Sequence, residues 1–201
     1  MLLLRTAGPS PFGRKVKIAA KMLGLMGRIK LEDTDTTSTA DSIRVQNPLG
    51  KIPTLILEDN TALYDSRVIV EYLDYLAGGG KLIPEESAAR FTTLTQQALG
   101  DGIMDAAILQ IYELRWRTED ERSAKWAEHQ AGKVSRALAV LETHPPQGSI
   151  TIGHIAIACA LGYLDLRFGG LWRADYPKCV AWLDAFAKAC PAYEATRFVQ
   201  V

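Results

Sequence analysis

A serine at the start of a predicted helix is the first residue that could do chemistry. Ser10 precedes Pro11, which suits the first helical position because it lacks the N–H that would find no partner there. A helix N-terminus carries partial positive charge and unpaired N–H groups, and this setting favours a thiolate over a thiol. A hydroxyl that donates to a thiolate would raise the reactive fraction of that nucleophile at neutral pH. Taken alone, Ser10 is more simply interpreted as a helix cap.

Two later segments could hold a peptide that carries such a thiol. Residues 47–53 are rich in turn formers, and a cis Ile52-Pro53 bond would expose the Ile52 backbone to an extended peptide, which could pair with it as an added strand. Asp65 and Ser66 precede the next predicted helix, where the helix N-terminus suits a carboxylate and the Asp65 side chain suits an ammonium. Taken singly, a trans proline in a loop and an ordinary helix cap are the simpler interpretations.

The elements that must position these residues form a small α/β layer. The predicted strands and helices lie at residues 2–5, 11–23, 29–32, 54–58, 62–64 and 66–76. Residues 33–46 are polar and only weakly periodic. In the first helix the apolar side chains share one face, and Arg14, Lys17 and Lys21 are expected off that face. The order β-α-β-irregular-β-β-α predicts a layered α/β domain.

The remainder of the chain is predicted to be helical. Gly78-Gly79-Gly80 is the clearest linker signal, and no strand pattern follows it. The later helices are predicted at residues 87–117, 119–143, 153–168 and 177–189. The sequence therefore predicts an N-terminal domain at residues 1–77, a linker at 78–86 and an all-helical domain at 87–201.

The three segments, in this order and at these spacings, resemble the glutathione transferase superfamily. Its members have a helix-opening Ser, Tyr or Cys, an Asn-Pro-x-Gly-x-[Val/Ile]-Pro stretch and a [Glu/Asp]-Ser pair two strands later. In this chain the corresponding residues are 10–16, 47–53 and 64–66. Residues 97–106 and 155–164 are similar to helices of bacterial members. The resemblance implies an α/β thioredoxin-like N-terminal domain and an all-α C-terminal helical bundle.

The resemblance also implies roles for individual residues. Ser10 matches the position that activates the thiol of glutathione. The residues expected to bind glutathione are Phe12, Lys51, Ile52, Pro53, Asp65 and Ser66. Within this set, the loop before the third strand is expected to contact the cysteinyl-glycine part, with Ile52 contributing its backbone. The helix cap is expected to contact the γ-glutamyl group.

The first long helix of the C-terminal half holds further candidates. Asp101 and Asp105 lie one turn apart and could contact the glutathione of a partner subunit, or be solvated or lie in a dimer interface. Met104 and Ile108, with Ile111 and Tyr112 beyond them, could line the acceptor pocket between the domains. Packing is the favoured interpretation of that apolar stripe.

The activity implied by the resemblance is addition of the glutathione thiolate to small apolar electrophiles, a detoxification reaction, or reduction of peroxides. Glutathione would be the co-substrate, no metal is expected, and a homodimer is expected from the resemblance alone. Because Ser10 stands where disulfide-exchanging relatives have cysteine, thiol–disulfide exchange on the enzyme is not expected. The alternative is a non-catalytic module of the same fold that binds a ligand or another protein.

Composition excludes two further classes of protein. The chain has 23 Lys and Arg against 23 Asp and Glu, whereas general nucleic-acid and anionic-membrane binders carry a basic surplus. The longest apolar run, residues 155–164, is about half of a membrane span. We therefore expect neither a nucleic-acid nor a membrane partner.

The cysteines and one histidine complete the sequence-based expectations. Three widely spaced cysteines are typical of reduced core thiols in a cytoplasmic protein, although Cys179 and Cys190 could instead be partly exposed and reactive. His154 stands where relatives place an Asp that caps a central helix, so a weakened cap is expected. A catalytic or metal-binding role for His154 is not expected, since no ligand lies at metal spacing.

Overall fold

The computed structural model describes residues 1–199. Its first part contains β1 (Leu2–Thr6), α1 (Pro11–Met22), β2 (Ile29–Asp33), α2 (Ile43–Gln46), β3 (Thr54–Ile56), β4 (Ala62–Leu63) and α3 (Ser66–Leu76). The later helices are α4 (Ser87–Trp116), α5 (Ala124–Thr143), α6 (Ile152–Phe168), α7 (Pro177–Ala189) and α8 (Pro191–Glu194). Short 3₁₀ turns form at Met26–Arg28, Glu119–Glu121 and Leu171–Ala174.

The four strands form one mixed sheet in the order β2-β1-β3-β4. β1 runs parallel to β2, and α1 provides the crossover that a parallel pair needs. β1 pairs antiparallel with β3, with Arg5 opposite Thr54, and β3 pairs antiparallel with β4. α1 and α3 pack against each other. The predicted α/β thioredoxin-like layer followed by helices is confirmed.

A buried arginine organises the segment after β2, which was predicted to be irregular. This segment contains α2, a single helical turn. The Arg5 guanidinium donates over 2.6–2.9 Å to four side chains of the segment, namely those of Thr34, Asp41, Ser42 and Gln46. The hydrogen bond from the Ile43 amide and the neighbouring Arg5 charge hold the pKa of Asp41 below its usual value.

The first helix buries more of its surface than its apolar pattern predicts. Val16, Ala19 and Ala20 are buried as expected, but Ile18 and Arg14, which lie off the predicted apolar face, are buried too. Arg14 lies off the predicted apolar face, as expected, but it is not exposed to solvent. The C-terminal segment covers this side of α1, and Arg14 Nη2 donates to the Tyr193 carbonyl over 2.7 Å.

The fifth helix begins later than predicted. A helix was expected from residue 119, but Glu119–Glu121 form a separate 3₁₀ turn and α5 starts at Ala124. Ser123 caps α5, and its Oγ accepts a hydrogen bond from the Trp126 amide over 3.2 Å. This cap, placed inside the predicted helix, sets the new start.

The contacts within the chain divide it into two compact units. One contains Met1–Thr93 together with the segment that begins at Cys190, and the other contains Leu94–Ala189. The C-terminal segment therefore belongs to the same compact unit as the sheet. The linker at residues 78–86 stays a prediction, and each of its three glycines has a positive φ.

Candidate functional site

Ser10 lies at the N-terminus of α1 with its hydroxyl already oriented. It is the N-cap residue, and its Oγ accepts a hydrogen bond from the Gly13 amide over 3.1 Å. A hydroxyl oxygen has two lone pairs and one proton, so accepting this bond leaves the O–H free to donate. The helix behind it has 12 residues, and its N-terminal end carries partial positive charge. A hydrogen-bond donor and the positive end of a helix thus lie at the same position.

Gly13 allows α1 to begin directly against the end of β1. A Cβ built on Gly13 would lie 2.1 Å from Oγ1 of the buried Thr6, so no larger residue fits without movement. Sequence reasoning gave Gly13 no role of its own. The available signal was a glycine in the first turn of a helix, where glycine is otherwise costly.

The loop before β3 is built around a buried asparagine. The Ile52-Pro53 bond is cis, so the trans interpretation of this proline taken singly is wrong. Asn47 Nδ2 donates to the Lys51 carbonyl over 3.0 Å and to Thr54 Oγ1 over 3.1 Å, and Asn47 Oδ1 accepts from the Leu49 amide over 3.0 Å. This positioning role of Asn47 was missed, because one more polar residue in a run of turn formers carries no distinct signal.

The same loop presents one segment of backbone to a ligand. The Lys51 carbonyl accepts from Asn47 and from Thr54 Oγ1, while the Lys51 side chain is exposed. Ile52 is half-buried and Pro53 is buried. Within residues 1–199, the loop hydrogen bonds leave the amide and carbonyl of Ile52 unused. An extended peptide could pair with them.

Asp65 and Ser66 form the start of α3. Asp65 is the N-cap, and its Oδ1 accepts from the Arg67 amide over 2.9 Å. The Asp65 side chain is more than half exposed, with Arg67 Nε 3.6 Å from Oδ2. Ser66 is buried at the first helical position, and the peptide bond between Tyr64 and Asp65 is also cis. The cap interpretation is confirmed, and one carboxylate still faces solvent beside a helix N-terminus.

The strand register brings the three segments to the same edge of the sheet. Arg5 near the end of β1 lies opposite Thr54 at the start of β3, and Leu63 at the end of β4 lies opposite Leu55. The chain reaches Ser10 just after β1, leaves Pro53 just before β3 and reaches Asp65 just after β4. These residues therefore surround a single edge.

The α4 candidates differ in how much surface they present. Asp101 and Met104 are buried within the second compact unit, which suits packing. Asp105 is exposed and Ile108 is half-buried. Of the four, Asp105 and Ile108 offer surface to a partner or an acceptor, and these roles stay predictions.

His154 caps α6 from inside the second unit. Its Nδ1 accepts from the Thr151 amide over 3.3 Å and lies 2.8 Å from Thr151 Oγ1. The imidazole is buried, with its centre 6.1 Å from the indole ring of Trp182. Burial lowers the pKa of His154 and keeps the ring neutral, as the acceptor role requires.

The three cysteines form no disulfide bond and lie in the core. Cys159, Cys179 and Cys190 are all buried, so the alternative that Cys179 and Cys190 are partly exposed is wrong. Burial, together with the nearby Glu142 carboxylate, raises the pKa of Cys179 to about 12. Burial also raises the pKa of Cys190. A high thiol pKa disfavours the reactive thiolate.

Two kinds of feature are absent from residues 1–199. This part of the chain holds no group of three or more His, Cys, Asp or Glu side chains arranged to bind a metal ion. Nor does it contain a helix with both the length and the apolarity needed to cross a membrane.

Comparison with known proteins decides the family. The model for the N-terminal domain of glutathione S-transferase matches residues 6–81, and the model for the C-terminal domain of glutathione S-transferase matches residues 124–185. The chain belongs to the glutathione S-transferase family. The N-terminal match spans all three segments of the candidate site.

Individual glutathione S-transferase relatives extend over nearly the whole chain. The uncharacterized GST-like protein YibF of Escherichia coli is 33% identical over 87% of this chain and 88% of its own. A crystal structure of a family member from Pseudomonas fluorescens with bound glutathione has a TM-score of 0.93 and 40% identity, covering 100% of both chains. Another from Pseudomonas fluorescens, with bound S-(propanoic acid)-glutathione, has a TM-score of 0.88 and 41% identity, covering 98% of this chain and 99% of its own.

Proposed function

We propose that this protein is an active glutathione S-transferase that uses Ser10 to stabilise the thiolate of glutathione. The observation that carries the proposal is the hydrogen bond from the Gly13 amide to Ser10 Oγ, which leaves the Ser10 O–H free to donate at the positive end of α1. In the reaction, the thiol proton passes to solvent and the sulfur lone pair forms a bond to carbon of a small apolar electrophile. The π bond at that carbon breaks, and its electron pair moves to the neighbouring atom, which takes a proton from solvent. Peroxides are a second class of acceptor for the same thiolate: the sulfur attacks one oxygen, the O–O bond breaks, an alcohol leaves, and a second glutathione reduces the resulting sulfenic acid to give glutathione disulfide and water.

Glutathione would bind along the edge of the sheet where the three segments meet. Its cysteinyl-glycine backbone pairs with the Ile52 amide and carbonyl, with Lys51, Pro53 and Phe12 around it. Its γ-glutamyl ammonium pairs with the exposed Asp65 carboxylate, and its α-carboxylate lies at Ser66 and the N-terminus of α3. Relatives of 40% and 41% identity that hold glutathione and a glutathione thioether support this proposal.

We also propose that the protein is a homodimer and that it is located in the cytoplasm. Its reaction would serve detoxification there. Val68 and Tyr75 on α3 and Phe91 on the first turns of α4 are exposed apolar residues of the α/β unit. Exposed apolar side chains of this kind suit burial against a second copy. Three buried cysteines without a disulfide bond suit a reducing compartment.

The substitution Asp65→Asn tests where glutathione binds. Asparagine can still accept the Arg67 amide hydrogen bond and keep the cap, but it loses the negative charge that the ammonium needs. We expect glutathione affinity, measured by calorimetry, to fall about tenfold. Turnover, followed as consumption of glutathione thiol with a small electrophile, should fall mainly through KM.

The matched control is Asp59→Asn. Asp59 Oδ1 accepts from the Thr61 amide over 2.9 Å in the exposed β3–β4 turn, so the chemical change and the local geometry are the same. This variant should bind glutathione like wild type. If wild-type protein neither binds glutathione nor consumes it, the enzyme proposal fails and the non-catalytic module is favoured.

A further inference from the structure

The C-terminal segment, residues 190–199, packs against the helix that Ser10 begins. It includes α8 and belongs to the same compact unit as residues 1–93. The guanidinium carbon of Arg14 lies 3.9 Å from the centre of the Tyr193 ring. The same side chain donates to the Tyr193 carbonyl over 2.7 Å, and its Nε lies 3.5 Å from Thr196 Oγ1. The buried side chain of Arg14 thus extends from α1 into the C-terminal segment and bonds there.

Arg14 links this packing directly to Ser10. The Arg14 amide donates to the Ser10 carbonyl over 2.9 Å, one of the hydrogen bonds that start α1. The Arg14 guanidinium is buried and bonded at its far end, which anchors this side chain in the C-terminal segment. Arg14 therefore connects the C-terminal segment to the first turn of α1.

Phe198 contacts the chain on the other side of Ser10. A Cβ built on Gly8 would lie 2.6 Å from both Cδ2 and Cε2 of Phe198, so the aromatic ring lies against the Gly8 backbone. The φ angle of Gly8 is outside the left-handed region, so the glycine is needed for space rather than for conformation. The Ser10 amide donates to the Ala7 carbonyl over 3.1 Å, which closes the turn that Phe198 supports.

We propose that residues 190–199 act as a clamp that fixes the hydroxyl of Ser10, with Arg14, Tyr193 and Phe198 as positioning residues. The catalytic consequence rests on the proposed function. A hydroxyl displaced by about 1 Å loses hydrogen-bond geometry to a thiolate, and such displacements cost up to about a hundredfold in rate. The clamp contacts lie outside the glutathione-binding loop and the α3 cap. Loosening it should therefore weaken thiolate stabilisation more than binding.

The first test needs no glutathione. In Phe198→Ala, amide hydrogen exchange in the first turn of α1 should become about tenfold faster than in wild type, because the turn loses its support. In Val199→Ala the same amides should exchange as in wild type, since the Val199 side chain is 69% exposed. If these amides exchange equally fast in Phe198→Ala and wild type, the clamp proposal is overturned, whether or not the protein binds glutathione.

A second variant tests the Gly8–Phe198 contact itself. Gly8→Ala should also speed exchange, because its Cβ displaces the ring or the turn. The double variant Gly8→Ala/Phe198→Ala should be no worse than Phe198→Ala, since the new methyl group then enters vacated space. If the two substitutions instead speed amide exchange additively, the Phe198 ring does not support this turn, and the proposal is overturned.

The glutathione readout separates the clamp from the proposed function. In Phe198→Ala, the thiol pKa of bound glutathione should rise towards the value found in Ser10→Ala. The affinity for glutathione should change by less than about twofold. An unchanged thiol pKa would contradict a positioning role. Should the wild-type protein itself fail to lower the thiol pKa, the proposed function is wrong, and the exchange measurements still decide the clamp.

Discussion

At Ser10 a single oxygen atom serves both the fold and the proposed chemistry. Its lone pair caps α1 through the Gly13 amide, and its proton remains for a thiolate. Replacing Ser10 by alanine would remove both functions, and the lost cap alone costs about 1 kcal/mol. Ser123 caps a helix in the same way, because its Oγ accepts from the Trp126 amide at the start of α5. It is not one of the residues of the candidate site. The two roles of Ser10 can therefore be separated by experiment.

His154 gives the α6 cap a dependence on pH. Burial lowers its pKa in the folded chain, so on acidification the unfolded chain takes up a proton at about pH 6.5 before the folded chain does. The stability contribution of the neutral ring is complete above that pH and is lost as the pH falls below it. We expect wild type to lose more unfolding free energy than His154→Asn between about pH 7.5 and pH 5.5, measured by urea denaturation.

His154→Asn is a matched change because an asparagine oxygen can accept the same Thr151 hydrogen bond but does not titrate. The exposed His129 and His144 remain in both proteins and cancel from the difference. Parallel pH curves for the two proteins would contradict the account of this cap.

At the scale of elements, α4 and α6 approach each other closely at Gly100. A Cβ on Gly100 would lie 2.6 Å from the Ala156 carbonyl carbon and 2.7 Å from the Ile157 nitrogen. Both are backbone atoms inside a buried helix and cannot move aside cheaply. Gly100→Ala should therefore lower the unfolding free energy by about 1–3 kcal/mol, although alanine favours helix.

Gly102→Ala is the control for Gly100→Ala. It lies two residues further along α4 with nothing within 4 Å of its Cβ position. Here helix propensity acts alone, and the unfolding free energy should rise by up to about 1 kcal/mol. Chemical denaturation of both variants measures the contrast, and equal effects would rule out the close crossing.

Sequence patterns predicted the helices and strands well, but they predicted fewer of the side-chain contacts that hold those elements in place. β1, α1, α3 and α7 follow from apolar periodicity and from caps, which are local signals. The turns α2 and α8 have four residues each, too few to show a helical period. The three segments of the site were predicted from their order and spacing.

The supporting residues of the site were missed because their partners are distant in sequence. Arg5 bonds to side chains about 29 to 41 residues away, and Arg14 bonds to a carbonyl 179 residues away. A charged residue in an apolar strand or at the edge of a helix face gives no indication of such a partner. Asn47 acts locally, but turn formers surround it on both sides.

At the scale of the whole molecule, the proposed homodimer gives a direct prediction. Phe91 is 65% exposed on α4, in the same unit as the exposed Val68 and Tyr75. Phe91→Asp should place an unpaired charge in the interface and convert the dimer to monomer, with little change in secondary structure. Leu171→Asp, at a position 80% exposed in the other unit, should leave the dimer intact. Sedimentation velocity distinguishes these outcomes, and a wild-type monomer would contradict the proposal.

The measurement that tests the central claim most directly is a titration of the thiolate absorbance of bound glutathione in wild type, Ser10→Ala and Ser123→Ala. The account predicts that wild type lowers the thiol pKa below that of free glutathione, that Ser10→Ala returns it towards the free value while glutathione stays bound, and that Ser123→Ala behaves as wild type. A thiol pKa that is equally low in Ser10→Ala would contradict the account and assign thiolate stabilisation to another group.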